Sequence, residues 1–334
     1  MLLLESVHAS AHEVFRQEGF PVEACPGALD EATLAEKVRD VHVLGIRSRT
    51  QVGEQVLAEA RRLLTLGAFC IGTNQVALDA AADHGVPVFN APFSNTRSVA
   101  ELVIAEIIAL ARRLVDRSRE MHEGRWRKSA PSSREVRGKT VGIVGYGHIG
   151  RQVGVLAEAL GMHVLFHDVA PKLPMGNNRP AGSLDDVLAR ADFVTLHVPE
   201  TPLTRGLIGE RELSRMKPGA CLLNLSRGSV VELAALARAL RSGHLAGAAA
   251  DVFPAEPDGN VDDFATDLRG IPNVILTPHV GGSTEEAQEA IGREVANALV
   301  KFVNTGATTG SVSCAVIVAS GVRPLCGKTP VVIR

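Results

Sequence analysis

Three polar side chains, Arg227, Glu256 and His279, each come at or after the end of a short apolar run that predicts a buried strand. The runs are CLLNLS (221–226), GAAADVF (247–253) and VILTPH (274–279). An arginine fork can bind a carboxylate, a histidine can exchange a proton near neutral pH, and a carboxylate can orient that histidine. Ligands of open parallel sheets bind beyond the carboxyl ends of the strands, so the three residues are candidates for one catalytic site. Taken singly, each also fits an ordinary role as a loop cation, a surface acid or a residue at a helix start.

A second set of residues has the spacing of a dinucleotide site. In GYGHIG, the glycines Gly145, Gly147 and Gly150 follow a predicted strand that ends at Val144 and open an apolar-periodic helix. The first permits a tight turn, the second lets the backbone approach a pyrophosphate, and the third lets helix and strand pack closely. Asp168 ends the next predicted strand, eighteen residues after Gly150, where a carboxylate accepts from ribose hydroxyls and repels a 2′-phosphate. The motif therefore predicts NAD rather than NADP.

Two loops in the first hundred residues are candidates for substrate binding. Arg47 and Arg49 directly follow the predicted strand VHVLGI, and their spacing places them on one side of an extended chain. They could bind a phosphate or belong to an ordinary basic loop, and the spacing alone favours neither. In GAFCIGTN (67–74), Gly72 and Asn74 lie in a strand-to-helix loop whose backbone N–H groups could hold a carboxylate or phosphate, or form a simple turn.

Short apolar runs alternate with helix-periodic segments along most of the chain, which is typical of a parallel sheet with crossover helices. The predicted fold class is α/β: a doubly wound, parallel-sheet, Rossmann-type NAD-binding domain plus a smaller flavodoxin-like α/β substrate domain. We assign 1–94 and 282–310 to the substrate domain and 95–281 to the NAD-binding domain. Residues 311–334 form a tail that the pattern leaves unassigned.

The pattern also predicts individual elements. In the first domain it predicts strands at 1–7, 41–46, 63–66 and 86–89, and helices near 9–19, 31–39, 52–60 and 75–83. The second domain is predicted to begin with one long helix that runs to Gly124 and to contain six strands, the first at 141–145. Ser283 and Glu286 have the spacing of a capping box, which predicts the start of a helix that returns to the first domain.

Composition excludes several classes of protein. The 334 residues are 46% hydrophobic and 22% charged with a formal net charge of −2, which predicts two globular domains and disfavours a nucleic-acid partner. The longest membrane-like run, 102–110, is interrupted by Glu106 and is shorter than the roughly 18 apolar residues of a transmembrane helix. The N-terminus lacks the basic region of a signal peptide. The five cysteines are scattered along the chain, so their spacing does not predict a zinc site. We therefore predict a cytoplasmic location, no membrane association and no metal.

Several longer motifs resemble a known family. GYGHIG, LHVPETP, MKPGACLLNLSRGSVVE, AGAAADVFPAEP and NVILTPHVGGSTEEAQ are similar to the D-isomer-specific 2-hydroxyacid dehydrogenases. Within that family, LGIRSRT, GAFCIGTNQV and FNAPFSNTRSVAELV resemble the members that act on 3-phospho-D-glycerate. The resemblance extends from about residue 1 to about residue 310.

The resemblance implies roles for individual residues. Arg227, Glu256 and His279 match the family's catalytic triad, and Asp251 is implied to lie against the nicotinamide. Further cofactor contacts are implied for His148, Ile149, Leu225, Ser226, Val280, Gly281 and Gly282. The resemblance also favours phosphate binding by Arg47 and Arg49. It implies a homodimer through the NAD-binding domain, in which Lys128 reaches the neighbouring subunit's site; Trp126 lies in the same segment and is either part of this dimer arm or an anchor within its own chain.

The implied activity is NAD-dependent oxidation of 3-phospho-D-glycerate to 3-phosphohydroxypyruvate, the first step of L-serine biosynthesis. The alternatives are an NADH-dependent reductase of another 2-oxo acid, such as 2-oxoglutarate, glyoxylate or hydroxypyruvate, and an NAD(H)-sensing interaction protein. Many family members carry a serine-binding regulatory domain after this point, and the residues after Gly310 are too few to form one. We therefore expect that domain to be lacking.

Overall fold

The computed structural model describes residues 1–257, 259–313, 315–318 and 321–324. The chain divides into two compact units: a first unit formed by Met1–Asn95 and the chain from Thr284 onward, and a second unit formed by Thr96–Ser283. In the described part of the chain, no helix combines the length and apolar character needed to cross a membrane. Most of the predicted tail lies outside the described residues.

The first unit is a sheet covered by helices on both faces. Its strands, numbered in chain order, are β1 (Leu2–Leu3), β2 (Glu23–Ala24), β3 (Val43–Ile46), β4 (Thr65–Ala68), β5 (Val88–Asn90) and β13 (Ser311–Ser313). Its helices are α1 (Ala9–Gln17), α2 (Glu31–Lys37), α3 (Glu54–Glu59), α4 (Leu78–Asp83) and α11 (Glu285–Thr305). The strand order is β13-β5-β4-β3-β1-β2, and the described pairs are parallel except β13 with β5.

Close packing fixes α11 on this sheet. A Cβ at Gly67 in β4 would come within 2.8 Å of side-chain atoms of Val295 and Leu299, so only glycine permits this approach. Phe15 from α1 and Phe89 from β5 are fully buried in the same cluster. Helix α11 therefore belongs to the core of the first unit, although it is distant in sequence from the strands on which it packs.

The second unit is a doubly wound parallel sheet. Its strands are β6 (Thr140–Val144), β7 (His163–His167), β8 (Arg179–Pro180), β9 (Phe193–Leu196), β10 (Cys221–Asn224), β11 (Gly247–Ala250) and β12 (Val274–Leu276). Its helices are α5 (Thr96–Arg112), α6 (Leu114–His122), α7 (His148–Ala159), α8 (Leu184–Arg190), α9 (Glu210–Arg215) and α10 (Leu233–Arg241). The strand order β12-β11-β10-β9-β6-β7-β8 reverses its winding direction at β6. A ligand crevice is expected there, beyond the carboxyl ends of β6 and β9.

The α/β fold class is confirmed, and the predicted elements of the first unit lie within about three residues of the observed ones, with two differences. The first strand, predicted at 1–7, ends at Leu3 because Glu5 and Ser6 have left-handed φ values of 64° and 50°. Strand β2 was not predicted, because its two residues are exposed and carry no apolar signal.

The prediction of one long helix up to Gly124 is wrong. The helix is interrupted at Arg113, which has a left-handed φ of 51° and separates α5 from α6. The Ala111 carbonyl oxygen accepts from Arg134 N at 2.8 Å, so a distant segment takes a hydrogen bond that a continuous helix would make. Helix α5 buries an apolar stripe, whereas no residue of α6 is buried.

Two smaller predictions are also corrected. The six predicted strands of the second unit are present, and β8 is a seventh. The N-cap of α11 is Thr284 rather than Ser283: Thr284 Oγ1 accepts from Ala287 N at 3.1 Å. Ser283 N instead donates to Val280 O at 2.8 Å and belongs to the preceding turn.

Candidate active site

Arg227, Glu256 and His279 lie in loops that follow three neighbouring strands of the second unit. Strands β10, β11 and β12 are adjacent and parallel, so their carboxyl ends lie side by side. Arg227 follows β10, Glu256 follows β11, and His279 follows β12. The order of the strands therefore brings together residues that are up to 52 positions apart in the chain.

His279 and Glu256 form a direct pair. His279 Nδ1 lies 2.7 Å from Glu256 Oε2, and Phe253 N donates to Glu256 Oε1 at 3.0 Å. Both carboxylate oxygens are thus engaged, which fixes the orientation of the imidazole ring. Nε2 is left as the ring nitrogen that can act on a substrate. The side chain of His279 is half exposed, so a small molecule can reach it.

The backbone around His279 is held in an unusual conformation. His279 has a left-handed φ of 52°, which is uncommon for a residue other than glycine. Its N–H donates to Asp251 O at 2.8 Å. The buried Asp251 carboxylate accepts from Val280 N and Gly281 N, each at 2.8 Å, and from the Thr277 hydroxyl at 2.6 Å. Asp251 therefore holds the turn that presents His279.

Arg227 is positioned through its backbone and through the residue that follows it. Asn224 Nδ2 donates to Arg227 O at 3.0 Å, and Arg227 Nη1 donates to Ser226 O at 2.6 Å. A Cβ at Gly228 would overlap with backbone atoms of Phe253 and Pro254. The chain after Arg227 is therefore in direct backbone contact with the segment that leads to Glu256.

The electrostatics of the site favour a charged pair. The hydrogen bond with Glu256 raises the pKa of His279; burial opposes this, and the charges of Glu256 and Asp251 add to it. Burial alone would raise the pKa of Glu256, but hydrogen bonds from His279 and Phe253 and the charges of His279 and Arg227 lower it below its ordinary value. The pair is thus suited to stabilise an imidazolium formed by proton uptake.

A second buried acid lies behind Asp251. Glu106 on α5 is 3% exposed, and neither carboxylate oxygen has a hydrogen-bond partner among the described residues. Burial, with a contribution from the negative charge of Asp251, raises the pKa of Glu106 to about 8. The raised pKa favours the neutral form of Glu106, which avoids an unpaired buried charge next to Asp251.

The glycine-rich turn has the geometry that a dinucleotide requires. Gly145 has a φ of 90°, and a Cβ there would overlap with the His197 carbonyl oxygen. A Cβ at Gly150 would overlap with the Gly145 carbonyl oxygen, whereas a Cβ at Gly147 would meet nothing within 4 Å. The turn is tightly packed on the protein side and open at Gly147. Helix α7 begins directly after Gly147, so its N-terminal N–H groups can receive a pyrophosphate.

Asp168 lies beside this turn. It follows β7 directly, and its Oδ2 accepts from Tyr146 N at 2.8 Å while Oδ1 accepts from Ala170 N at 3.0 Å. A carboxylate has about four acceptor positions, so both oxygens can still accept from ribose hydroxyls. The ring of Tyr146 is buried and stacked on Phe166, with 3.7 Å between ring centroids. The acid, the turn and the strand are therefore tied together.

The substrate candidates of the first unit also lie close to one another. Gln75 Nε2 donates to Arg47 O at 2.6 Å and to Gly72 O at 3.4 Å, which joins the 47–50 loop to the 67–74 loop. The guanidinium of Arg47 donates to Gln288 on α11 at 2.7 Å. Arg49 and Asn74 are exposed.

The remaining candidates lie in the second unit. His148 and Ile149 are in the first turn of α7, and Leu225 and Ser226 lie between β10 and Arg227. Val280, Gly281 and Gly282 form the turn after His279, where a Cβ at Gly281 would lie 2.9 Å from Asp251 Oδ2. Lys128 is exposed in the irregular segment between α6 and β6.

Several residues that build the site were not identified from the sequence. Three of them act through the hydrogen bonds described above: Asn224 positions Arg227, Thr277 positions Asp251, and Gln75 positions Arg47. A fourth, Glu5, accepts from three backbone amides of the 47–50 loop. Glu5 carries a usable signal, since a lone acid in an apolar first strand must be partnered if it is buried. The other three resemble ordinary polar residues at strand ends and in loops.

A doubly wound sheet with a glycine-rich turn and a paired acid and imidazole at the same edge is typical of nucleotide-dependent dehydrogenases. Residues 104–281 match the family model of the D-isomer specific 2-hydroxyacid dehydrogenase NAD binding domain. The chain is 57% identical over 313 residues to D-3-phosphoglycerate dehydrogenase from Dictyostelium discoideum, covering 94% of this chain and 77% of the relative. It is 54% identical to the enzyme of that name from Escherichia coli (strain K12), covering 93% and 76% respectively.

Solved structures agree with these relatives. The NAD-complexed form of a D-isomer specific 2-hydroxyacid dehydrogenase from Lactobacillus delbrueckii ssp. bulgaricus matches with a TM-score of 0.81 at 26% identity, covering 93% of this chain and 99% of that one. The chain belongs to the D-isomer specific 2-hydroxyacid dehydrogenase family. It is an NAD-dependent oxidoreductase.

Proposed function

We propose that this chain oxidises 3-phospho-D-glycerate to 3-phosphohydroxypyruvate with NAD, the reaction that begins L-serine biosynthesis. The observation that carries the chemistry is the 2.7 Å contact between His279 and Glu256 at the strand edge that Arg227 shares. The choice of substrate is supported by the names of relatives at 57% and 54% identity. It is further supported by the two arginines, Arg47 and Arg49, which suit a phosphate.

The reaction requires a proton acceptor and an anion clamp. His279 Nε2 takes the proton of the C2 hydroxyl, and Glu256 stabilises the imidazolium that results. Arg227 binds the substrate carboxylate and polarises the C2 oxygen as it becomes a carbonyl. NAD held by the second unit would supply the acceptor for the hydride on C2. In the reverse direction the imidazolium returns its proton to the C2 oxygen.

We assign the cofactor contacts to residues of the second unit. We assign the pyrophosphate to the turn of Gly145, Gly147 and Gly150 with His148 and Ile149, and the ribose hydroxyls to Asp168. The nicotinamide end is assigned to Leu225, Ser226 and the turn of Val280, Gly281 and Gly282. Asp251 supports this end by holding the backbone N–H groups of Val280 and Gly281.

Removal of both arginines tests the substrate. In Arg47→Ala/Arg49→Ala, the kcat/KM for reduction of 3-phosphohydroxypyruvate is expected to fall by at least about 100-fold, because each charge-assisted contact contributes about 1.5–3 kcal/mol. The kcat/KM for glyoxylate should change little, since glyoxylate has a single carboxylate and no phosphate. The loss for 2-oxoglutarate should be intermediate, because an arginine can also bind its second carboxylate. Initial rates of NADH consumption measure both effects.

The control is the wild-type protein assayed with the same three acids. A wild-type preference for the phosphorylated acid is expected, and equal rates would indicate a general 2-oxo acid reductase instead. Equal losses for all acids in the double variant would contradict phosphate binding by these arginines. Tight NADH binding without turnover of any acid would favour a sensing role.

We also propose a homodimer formed through the second unit, with Lys128 reaching the neighbouring site. It is supported by exposed apolar side chains on and after α5 and α6, namely Ile108, Leu114, Val115, Met121 and Trp126. Sedimentation equilibrium should give twice the chain mass, and a monomer at micromolar concentration would contradict the proposal. The cytoplasmic location stays a prediction, which cell fractionation can check.

A further inference from the structure

Glu5 is a buried acid in an unusual backbone conformation. It follows β1, is 2% exposed, and has a left-handed φ of 64°; Ser6 after it also has a positive φ. Glu5 N donates to Gly27 O at 3.1 Å, which holds this turn from the opposite side. Residues other than glycine adopt such a conformation where the surrounding structure enforces it, and this often occurs at functional sites.

The Glu5 carboxylate binds the backbone of the 47–50 loop. Oε1 accepts from Arg47 N at 3.1 Å and from Thr50 N at 2.8 Å, and Oε2 accepts from Arg49 N at 3.0 Å. Three backbone amides thus converge on one carboxylate, as they do in concave anion sites formed by the backbone. Because the chain's own acid occupies these amides, they are not available to a substrate anion. Anion recognition by this loop is left to the side chains of Arg47 and Arg49.

The same loop is held at two further points. Gln75, which is 7% exposed, donates to Arg47 O at 2.6 Å, and Gln288 accepts from the Arg47 guanidinium at 2.7 Å. Arg47 is therefore fixed at its amide, its carbonyl and its side chain. Arg49 Nε lies 3.9 Å from Glu5 Oε2, so the acid also restrains the second arginine.

We propose that Glu5 is a positioning residue for binding of the substrate phosphate: it holds the 47–50 backbone so that Arg47 and Arg49 present their guanidinium groups to that phosphate. This inference rests on the proposed function. The role requires a carboxylate, because a glutamine has only one acceptor oxygen and would turn N–H donors toward backbone amides that are themselves donors. Glu5 acts on the phosphate solely through the two arginines.

The test compares Glu5→Gln with Glu5→Asp and with the control Glu36→Gln, an exposed acid on α2. In Glu5→Gln, the KM for 3-phosphohydroxypyruvate should rise at least about tenfold with little change in kcat, because disordered arginines lose binding rather than chemistry. The KM for hydroxypyruvate, which has no phosphate, should stay unchanged. Glu5→Asp should recover part of the loss, and Glu36→Gln should behave as wild type.

The effect of Glu5→Gln in a protein that lacks both arginines provides a second test of the inference. In the Arg47→Ala/Arg49→Ala background, Glu5→Gln should raise the KM for the phosphorylated acid no further. A further rise there, an equal rise for both acids, or an unchanged KM in a folded Glu5→Gln protein would overturn the inference. If any of these results is found while the wild-type protein still prefers the phosphorylated acid, the proposed function stands and only the inference about Glu5 is wrong. If the wild-type protein lacks that preference, the proposed function and the inference about Glu5 are both wrong.

Hydrogen exchange of the wild-type protein tests the inference even if Glu5→Gln does not fold. The amides of Arg47, Arg49 and Thr50 should exchange slowly because Glu5 accepts from all three. The amide of Ser48, in the same loop, serves as the internal reference. Rapid exchange of all four amides would overturn the proposed restraint.

Discussion

Replacing His279 with asparagine is expected to lower kcat for alcohol oxidation by about 10³-fold, within the range of a lost general base. Asparagine is the appropriate replacement because it tolerates the left-handed φ of 52° at this position better than most residues. The backbone bonds to Asp251 do not involve the ring, so NAD binding should be nearly unchanged. Steady-state rates together with NADH fluorescence titration measure both quantities. A variant that retains wild-type kcat would exclude His279 as the proton acceptor.

The pH dependence of the reaction rates provides a second test of His279, in variants that retain this histidine. The pKa of His279 is raised by its hydrogen bond with Glu256. Oxidation needs the neutral ring and should fall as pH drops below this raised pKa, while reduction needs the imidazolium and should fall as pH rises above it. In Glu256→Gln the pKa of His279 decreases, so both limbs should move to lower pH. Limbs that do not move would show that another group controls the profile.

Replacing Gly228 with alanine is expected to damage both activity and stability. The added Cβ would overlap with carbonyl atoms of Phe253 and with Pro254 N, all of them backbone atoms that cannot rotate away. Either the chain after Arg227 or the segment that leads to Glu256 must move. A displacement of about 1 Å in such a site costs about 100-fold in kcat/KM. The free energy of unfolding should fall by about 3 kcal/mol, at the upper end of ordinary overpacking.

Gly182→Ala is the matched control for this variant. Gly182 lies between β8 and α8, has no positive φ, and a Cβ there would meet nothing within 4 Å. It should keep wild-type kcat/KM and unfold at the same urea concentration or slightly above it, because alanine reduces the entropy of the unfolded chain. A Gly228→Ala protein that matches this control in both measurements would contradict the close backbone contact.

Most elements could be predicted because their signals are local. Apolar periodicity and the glycines of GYGHIG depend on neighbouring residues only, and they located the strands and the nucleotide turn to within a few residues. Strand β2 could not be predicted, because its two residues are exposed and show no apolar periodicity. The break at Arg113 depends on a hydrogen bond from Arg134 N, which no local pattern contains.

Part of the candidate site could likewise be predicted from the sequence, and part of it could not. That Arg227, Glu256 and His279 would meet followed from a general rule, because strand ends of a parallel sheet share one edge. An acid among apolar residues at Glu5 indicates that a buried carboxylate needs partners. Which partners it has could not be predicted, since the Arg47 amide that Glu5 binds lies 42 residues away. A polar residue reveals such a contact only when the chain has folded.

The amino-acid sequence by itself determined the α/β class, the glycine-rich turn and the strand ends that carry the three catalytic candidates, because each depends on local pattern. Only the tertiary structure decided the 2.7 Å pairing of His279 with Glu256, the backbone contact at Gly228 and the restraint of the 47–50 loop by Glu5. These features depend on distances between segments remote in the chain. Hydrogen bonds and steric overlap vary within tenths of an ångström, a scale that residue type and spacing do not specify.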